Sequence, residues 1–262
     1  MTVFSRYALA ALVSALPLAA DDAACVINMP CYSTAGVVNS ASYATGWFAP
    51  NTFVSIFGRN LAYVTANGTP GSEDPTGLFG GVKVLVNTQG AFISYISPNQ
   101  VNFVLPVGLT AGTFKVQLLN NSLAGPAVTI TLHDTAPALF INLDGATAIA
   151  IHSDGTLVTL QKPAHPGESL KVFGTGLGPF VRQADFVVPV PPVPIERRAE
   201  FELDLDGVAV PLTPTNYVGA MALYVGVVEI DFQVPAGVGR NPEIRIRLAD
   251  RLSPPSAFLP VD

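Results

Sequence analysis

Two stretches of this chain carry the same pattern: SPNQVNFVLP at residues 97–106 and GVVEIDFQVP at residues 226–235. Each ends in an aliphatic residue, Asn or Asp, Phe, a variable residue, an aliphatic residue and Pro. Alternate side chains of a β-strand point to opposite faces, so Phe and the aliphatic residues two positions away share one face. Proline then ends the strand, where its missing N–H is tolerated. The pattern predicts the same buried strand in two places.

The residues before each stretch correspond as well. FVSIFGRNLA at 53–62 and SLKVFGTGLG at 169–178 both contain Phe-Gly, with Leu three residues further on. In each copy a variable loop, a strand pair, the shared stretch, a glycine-containing turn and a closing strand follow. A strand order repeated within one chain predicts two tandem copies of one domain. The sequence therefore predicts two β-sandwiches.

Period-two alternation supports this prediction through both halves of the chain. It predicts no amphipathic helix of three turns, and Asp206-Gly207 predicts a tight turn between two strands. The acidic residues Glu200, Glu202 and Asp204 are expected to face solvent, opposite Arg245 and Arg247 on a neighbouring strand. The alternating segments are 82–86, 114–118, 128–132, 201–205 and 244–248.

Composition agrees with a β-rich fold. Only 12% of the 262 residues are charged, and Gly and Pro each occur 23 times, which favours many turns over helices. The formal net charge of −6 provides no basic surface for nucleic acid, so that class of partner is excluded.

The N-terminal residues differ from the rest. Arg6 precedes an apolar run that is too short to span a bilayer and that ends in small residues near Ala20, as in a secretory signal peptide. We therefore expect a secreted or extracytoplasmic protein without a transmembrane segment. The alternative, a lipoprotein signal ending at Cys25, is disfavoured by Asp22. In an exported protein, Cys25 and Cys31 are expected to form a small disulfide loop.

These features divide the chain into four predicted parts. They are a signal peptide at 1–20, an N-terminal segment with the disulfide loop at 21–45, a first sandwich at 46–140 and a second sandwich at 141–262. The boundary between the copies is expected within 134–145. In the second copy, VVPVPPVPIE at 187–196 predicts a stiff polyproline II loop.

Four motifs resemble a known family in their order along the chain. They are GVVNSASY at 36–43, FAPNTFVSIFGRNLA at 48–62, FGGVKVLVN at 79–87 and ISPNQVNFVLP at 96–106. Together they resemble the Solibacter-type uncharacterised C-terminal domain of exported bacterial proteins, which is similar to the immunoglobulin-like IPT or TIG domains. The second copy lacks a clear match to the third motif. The resemblance implies an all-β fold of two tandem immunoglobulin-like sandwiches after a signal peptide, and it implies no reaction.

Motifs of known chemistry are absent from the sequence. His133, His152 and His165 are separated and show no metal-ligand spacing, and neither G-x-S-x-G nor H-E-x-x-H occurs. GTGLGP at 174–179 is interpreted as a turn, since no helix to face a phosphate is predicted after it. The acidic stretches at 142–145 and 204–207 offer too few calcium ligands and are typical of turns. We therefore predict no catalytic residue, metal or cofactor.

Aromatic residues are the remaining candidates for a ligand site. Aromatic rings at loops and strand ends stack on sugar rings or contact partner chains, although half-buried packing accounts for most such residues. The candidates are Trp47, Tyr63, Tyr95, Tyr217 and Tyr224.

The predicted function is a non-catalytic exported protein with a role in binding, adhesion or scaffolding at the cell surface. Extracellular polysaccharide or another surface protein is the expected partner. The alternatives are a secreted hydrolase whose site combines residues distant in sequence, for example one acting on carbohydrate, and a purely structural spacer or assembly subunit.

Overall fold

A computed structural model describes residues 25–68, 77–181, 193–222 and 224–262. The predicted signal peptide at 1–20 and most of the predicted polyproline stretch lie outside the described residues. Within them the fold is all-β, with antiparallel sheets and two short 3-10 turns at Thr34–Gly36 and Arg198–Glu200, which confirms the predicted fold class. In the same residues no helix has the length and apolar character needed to cross a membrane.

The first sandwich packs sheet A against sheet B. Sheet A has the order β1-β2-β8-β7-β3, formed by β1 (Val37–Asn39), β2 (Phe53–Phe57), β3 (Ala66–Asn67), β7 (Phe92–Ile96) and β8 (Gln100–Val104). Sheet B has the order β10-β9-β5-β4, with β11 also paired to β9 and β6 to β5. Its strands are β4 (Leu78–Phe79), β5 (Val82–Val86), β6 (Gln89–Gly90), β9 (Gly112–Asn120), β10 (Leu123–Ala124) and β11 (Val128–Leu132).

The second sandwich packs sheet C against sheet D. Sheet C has the order β12-β14-β18-β17 with β13 also paired to β14, and sheet D has the order β16-β15-β19-β20. The strands of sheet C are β12 (Ala138–Leu139), β13 (Ala150–His152), β14 (Ser169–Thr175), β17 (Val218–Ala220) and β18 (Val228–Gln233). Those of sheet D are β15 (Phe201–Leu205), β16 (Val208–Ala209), β19 (Ile244–Leu248) and β20 (Arg251–Leu252).

The predicted repeat is present at the level of single residue pairs. The shared stretches form β8 and β18, and the Phe-Gly segments form β2 and β14, which pair with them. In the first copy the pairs are Phe57–Gln100, Ser55–Asn102 and Val54–Phe103. In the second copy the pairs at the same positions are Phe173–Glu229, Lys171–Asp231 and Leu170–Phe232. The repeated pattern therefore encodes one strand register used twice.

Period-two alternation correctly identifies the side chains that form the two cores. Phe103 and Phe232, the phenylalanines of the shared stretches, are both fully buried, each in the core of its own sandwich. Alternate residues of β5, β11, β15 and β19 are buried, as the alternation predicts. The predicted acid–base pairs are also confirmed, because Glu202 lies opposite Arg247 and Asp204 opposite Arg245.

Both sandwiches include strands that lie before the predicted divisions at 46 and 141. Strand β1 belongs to sheet A although it falls in the segment predicted to precede the first sandwich, and β12 belongs to sheet C. Both are short strands in which every residue is buried, so they lack the alternation from which boundaries were predicted.

The N-terminal segment is fastened to the first sandwich. Cys25 and Cys31 form the expected disulfide, and Cys31 exchanges two backbone hydrogen bonds with Arg59. The Tyr32 side chain is buried in the first core, where its hydroxyl accepts a hydrogen bond of 2.7 Å from the Leu118 amide. Burial raises the pKa of Tyr32 to about 12, partly opposed by that hydrogen bond.

A phenol whose pKa is raised by folding contributes stability below its unfolded pKa and loses that contribution as the pH rises toward the folded value. The free energy of unfolding should therefore fall between pH 9 and 11.5, by on the order of 2 kcal/mol from Tyr32. In a Tyr32→Phe variant the decrease should be smaller by that amount. Urea unfolding at both pH values measures it, with the exposed Tyr63→Phe as the matched control. An equal decrease in the Tyr32→Phe and Tyr63→Phe variants would refute the assignment.

Candidate functional site

The two sandwiches share a buried apolar cluster, called the junction cluster below. The first sandwich contributes Phe53 from β2 and Val104 from β8, and the second contributes Phe140, Phe173 and Val227. The rings of Phe53 and Phe140 meet edge to face, with their centroids 6.1 Å apart. The remaining buried members are Ala41, Ala138, Ile149, Ile151 and Val225. Since apolar surface from both sandwiches is removed from water here, the cluster stabilises their mutual arrangement.

Hydrogen bonds cross the same junction. The amide of Phe53, at the start of β2, donates to Thr175 Oγ1 at the end of β14 over 2.8 Å. The Thr175 hydroxyl in turn donates to the carbonyl of Gly226 at 2.7 Å. Trp47 Nε1 donates to the carbonyl of Pro137 at 3.0 Å. The start of β2 in sheet A is thus joined to the end of β14 in sheet C. Because β2 and β14 are equivalent strands, the two copies are arranged head to tail.

Two glycines allow this close approach. Gly226 has a φ of +76°, and a Cβ at this position would lie 2.8 Å from Val104 Cγ1 across the junction. Gly176 has a φ of +75°, and a Cβ there would collide with the carbonyl oxygen of Ala136. Both positions therefore require glycine for conformation and for space. Gly176 belongs to GTGLGP, which ends β14 and continues into a bend, in agreement with its interpretation as a turn.

The margin of the junction cluster is formed by larger, partly exposed side chains from both sandwiches. Tyr43, Trp47 and Phe92 come from the first sandwich, and Met221 and Tyr224 come from the second. Burial raises the pKa of the Tyr43 and Tyr224 phenols, so both rings are uncharged at neutral pH. The exposed part of each ring presents apolar surface beside the junction, which is the kind of surface on which a ligand can stack.

The predicted aromatic candidates are only partly brought together. Trp47 and Tyr224 lie at the junction margin. Tyr95 lies opposite Asn102, and the backbone of Tyr217 pairs with Asp231, so these two tyrosines occupy equivalent positions in the two copies. The Tyr217 hydroxyl accepts a hydrogen bond from the Val193 amide and donates to the Ala220 carbonyl.

Tyr63 is separate from the others. Its side chain is 61% exposed and lies just before β3, which pairs with the end of β7 farther from Phe92. Sequence reasoning missed Tyr43, Phe92 and Met221. Phe92 begins β7 and Met221 follows β17, but the alternation does not show which outward positions of one sandwich face the other, since that depends on the junction.

The outer face of sheet A, which points away from its own core, is covered by the chain itself. Segment 40–46 crosses it: Ser40 Oγ lies 2.8 Å from Ser55 Oγ, which donates to Asn102 Oδ1 at 2.8 Å. Gln100 Nε2 donates to the same oxygen at 2.9 Å. The ring of Tyr43 stacks near that of Phe57, with centroids 6.3 Å apart. The polar positions of this face are therefore buried and occupied from within.

The equivalent face of sheet C carries charges instead. Lys171 occupies the position of Ser55 and contacts the carboxylates of Glu229 and Asp231, the latter at 3.2 Å. Burial lowers the pKa of Lys171, but its bonds and charge interactions with Glu229 and then Asp231 outweigh it, so the pKa is raised and the ammonium persists. The side chains of Lys171, Glu229 and Asp231 remain 39%, 20% and 31% exposed.

This charged trio borders the junction cluster. Glu229 pairs with Phe173, and Lys171 pairs with Ile151, both of which are buried members of that cluster. Two carboxylates that accept hydrogen bonds and one ammonium that donates them thus lie next to partly exposed aromatic rings. We call the margin side chains and the trio together the junction site. Chemically, it offers stacking surfaces and both kinds of hydrogen-bonding group.

Each of the three histidines contacts a different partner. His133 Nδ1 accepts a hydrogen bond of 2.8 Å from Arg251, whose guanidinium lies 5.1 Å from the Trp47 ring centre. His152 Nδ1 lies 2.5 Å from Glu168, and His165 Nδ1 lies 2.6 Å from Asp262. The described part of the chain contains no group of three or more His, Cys, Asp or Glu side chains placed to hold a metal ion.

The acidic stretches considered for calcium form turns. Asp144 accepts hydrogen bonds from the amides of Ala146 and Thr147, and Asp204 accepts one from the amide of Gly207. Each carboxylate therefore closes a local turn, as the D-G chemistry predicts.

Comparisons with known proteins give structural similarities only. No family model matches the chain, and no curated protein matches it. A surface glycan-binding protein from Bacteroides ovatus, solved with a mixed-linkage heptasaccharide, is 11% identical with a TM-score of 0.35, and the match covers 84% of this chain and 45% of that one. A surface glycan-binding protein from Prevotella bryantii is 12% identical with a TM-score of 0.26, covering 83% and 39%.

The Escherichia coli adhesin FdeC is 10% identical with a TM-score of 0.24, and the match covers 84% of this chain and 62% of that one. The chain thus spans less than half the length of either glycan-binding protein.

The Thr175 hydroxyl provides a direct test of the junction. Thr175→Val keeps the shape of the side chain but leaves the Phe53 amide and the Gly226 carbonyl without this partner. Because unsatisfied buried polar groups are costly, we expect a loss of about 1–3 kcal/mol in the free energy of unfolding, measured by urea denaturation.

The matched control is Thr129→Val, the same change at an exposed position on β11. It should leave the unfolding free energy within about 0.5 kcal/mol of the wild type. Equal stability of the two variants would contradict the role given to Thr175.

Proposed function

We propose that this protein is a non-catalytic, extracytoplasmic binding module that holds an extended polysaccharide at the junction site. The observation that carries the proposal is the position of the partly buried Tyr43, Phe92 and Tyr224 around one buried cluster shared by both sandwiches. The charged trio of Lys171, Glu229 and Asp231 borders the same cluster.

The chemistry of this site suits sugars. The apolar faces of pyranose rings stack on aromatic side chains, while their hydroxyls donate to carboxylates and accept from an ammonium group. Tyr224 supplies a stacking surface, and the trio supplies the hydrogen-bonding groups. Tyr224 and the trio belong to the second sandwich, so a ligand that also stacks on Tyr43 or Phe92 of the first sandwich must extend beyond a single sugar ring.

The junction also reduces the entropic cost of binding. The hydrogen bonds of Thr175 and the packing of Phe53 against Phe140 hold the two halves of the site in one arrangement before a ligand arrives. A preorganised site loses less conformational freedom on binding, so more of the contact energy becomes affinity.

Three features support a location outside the cytoplasm. The N-terminal sequence has the character of a secretory signal, and the disulfide between Cys25 and Cys31 suits an oxidising compartment. The resemblance to the Solibacter-type C-terminal domain of exported bacterial proteins agrees with both, and membership of that family is part of this proposal.

The contacts of the acid–base groups favour binding over hydrolysis. Both ring nitrogens of His152 face acceptors, and the carboxylates of Glu229 and Asp231 both contact Lys171. A hydrolase would need one such group free to exchange a proton with a substrate. A pure spacer, in turn, would have no ligand at the junction, and binding measurements separate these alternatives.

Affinity electrophoresis in gels containing a soluble polysaccharide tests the proposal. Xyloglucan, mixed-linkage β-glucan and an anionic polysaccharide form the initial panel. At least one neutral polymer should retard the wild-type protein, and Tyr224→Ala should weaken that binding about tenfold because a stacking surface is lost.

Tyr63→Ala is the matched control, since Tyr63 is an exposed tyrosine away from the junction. It should bind like the wild type. Absence of retardation by every polymer, or equal losses in the Tyr63→Ala and Tyr224→Ala variants, would refute the junction as the binding site. Trp47 is the only tryptophan of the chain, so its fluorescence during a titration provides an independent signal from the junction margin.

A further inference from the structure

A buried histidine lies outside the junction site, at the edge of sheet C. His152, the last residue of β13, is only 6% exposed. Its Nδ1 lies 2.5 Å from Glu168 Oε1, and its Nε2 lies 3.2 Å from the backbone carbonyl oxygen of Lys162. The ring thereby connects β13 to the segment that leads into β14.

Both of these partners are acceptors. A carboxylate oxygen and a carbonyl oxygen each require an N–H donor, and only the doubly protonated imidazolium carries an N–H on both nitrogens. A neutral ring that keeps its proton on Nδ1 for Glu168 would point the lone pair of Nε2 at the Lys162 carbonyl. Only the charged form therefore satisfies both acceptors at once.

The first copy of the repeat shows the alternative without a titratable group. Asn39 lies opposite Val54, as His152 lies opposite Leu170, and these are equivalent positions in the two copies. Asn39 Nδ2 donates to the carbonyl of Trp47 at 3.0 Å, and its Oδ1 accepts from the Ala41 amide at 2.9 Å. The same structural role is thus filled by an amide in one copy and by a histidine in the other: each connects a loop to the strand that pairs with β2 or with β14.

The charged groups near His152 have partners of their own. Glu168 Oε2 accepts from the amide of His165, whose ring contacts Asp262 at 2.6 Å. The Lys162 ammonium lies 2.9 Å from the carboxylate of Asp154, in the turn that follows β13. Burial raises the pKa of Glu168, but the hydrogen bonds from His152 and His165 and their charges lower it more, so the net pKa lies below its ordinary value.

We propose that His152 acts as a pH-sensitive latch, by which we mean that its protonated ring fastens segment 153–168 to β13. In the imidazolium form it holds the turn at Lys162 and the carboxylate of Glu168 against β13. Loss of one ring proton at higher pH breaks the bond to the Lys162 carbonyl and loosens the segment. At the acidic end, protonation of Glu168 weakens the other bond. The latch is therefore closed at mildly acidic pH and opens toward alkaline pH.

Hydrogen–deuterium exchange of the intact protein tests this proposal. Exchange of peptides covering 153–168 is measured between pH 5.5 and 8.5 and corrected for intrinsic exchange rates. Protection should fall about tenfold across this range in the wild type, the effect of losing one buried hydrogen bond, while peptides from β9 stay constant. In a His152→Asn variant, which copies the first repeat, protection should not change with pH.

His165→Asn is the matched control, since His165 is an exposed histidine in the same segment. It should keep the pH dependence of the wild type. Protection that is independent of pH in the wild type, or a pH dependence removed by His165→Asn and kept by His152→Asn, would overturn the proposal. Nitrogen NMR of the wild-type ring gives a readout that does not need the variant to fold: both nitrogens of His152 should carry protons at pH 5.5, and a single protonated nitrogen there would overturn the latch.

Discussion

The hydroxyl of Thr175 joins the two halves of this molecule. It accepts from the amide that begins β2 of the first sandwich and donates to the carbonyl of Gly226 in the second, in a place from which water is excluded. The junction cluster, the approach of Gly226 to Val104 and the ring of Tyr224 all lie at the same junction, which this contact helps to hold together. A pair of independent sandwiches joined by a flexible connection would place none of these groups reliably.

The fold was predictable because the pattern that encodes its strands is periodic and lies within short stretches of sequence. The strands β8 and β18 have their core residues at period-two spacing and end in proline, so their repetition revealed two copies of one register. The tight turn at Asp206-Gly207 and the pairing of Glu202 with Arg247 followed from equally local patterns. Short strands such as β1 and β12 are buried on every residue, which gives no alternation to recognise.

The candidate site was predictable only in part. Sequence identifies aromatic residues near strand ends, but not which of them face the other sandwich. Tyr224 and Trp47 reach the junction while Tyr63 does not, because the head-to-tail arrangement is set by contacts between residues more than a hundred positions apart, such as Phe53 and Thr175. The two copies also diverge in chemistry at equivalent positions, where Ser55 and Asn39 correspond to Lys171 and His152. The first copy has neutral groups covered by its own chain, and the second has ionisable groups, of which Lys171 is partly exposed and His152 is buried.

The central claim is that both sandwiches contribute to one binding surface. Backbone NMR of the labelled protein, titrated with an oligosaccharide of a polymer that it retains, tests this most directly. Amide signals should shift on both sides of the junction, near Tyr43 and Phe92 in the first sandwich and near Lys171 and Tyr224 in the second. Shifts confined to a single sandwich away from these residues would contradict the claim.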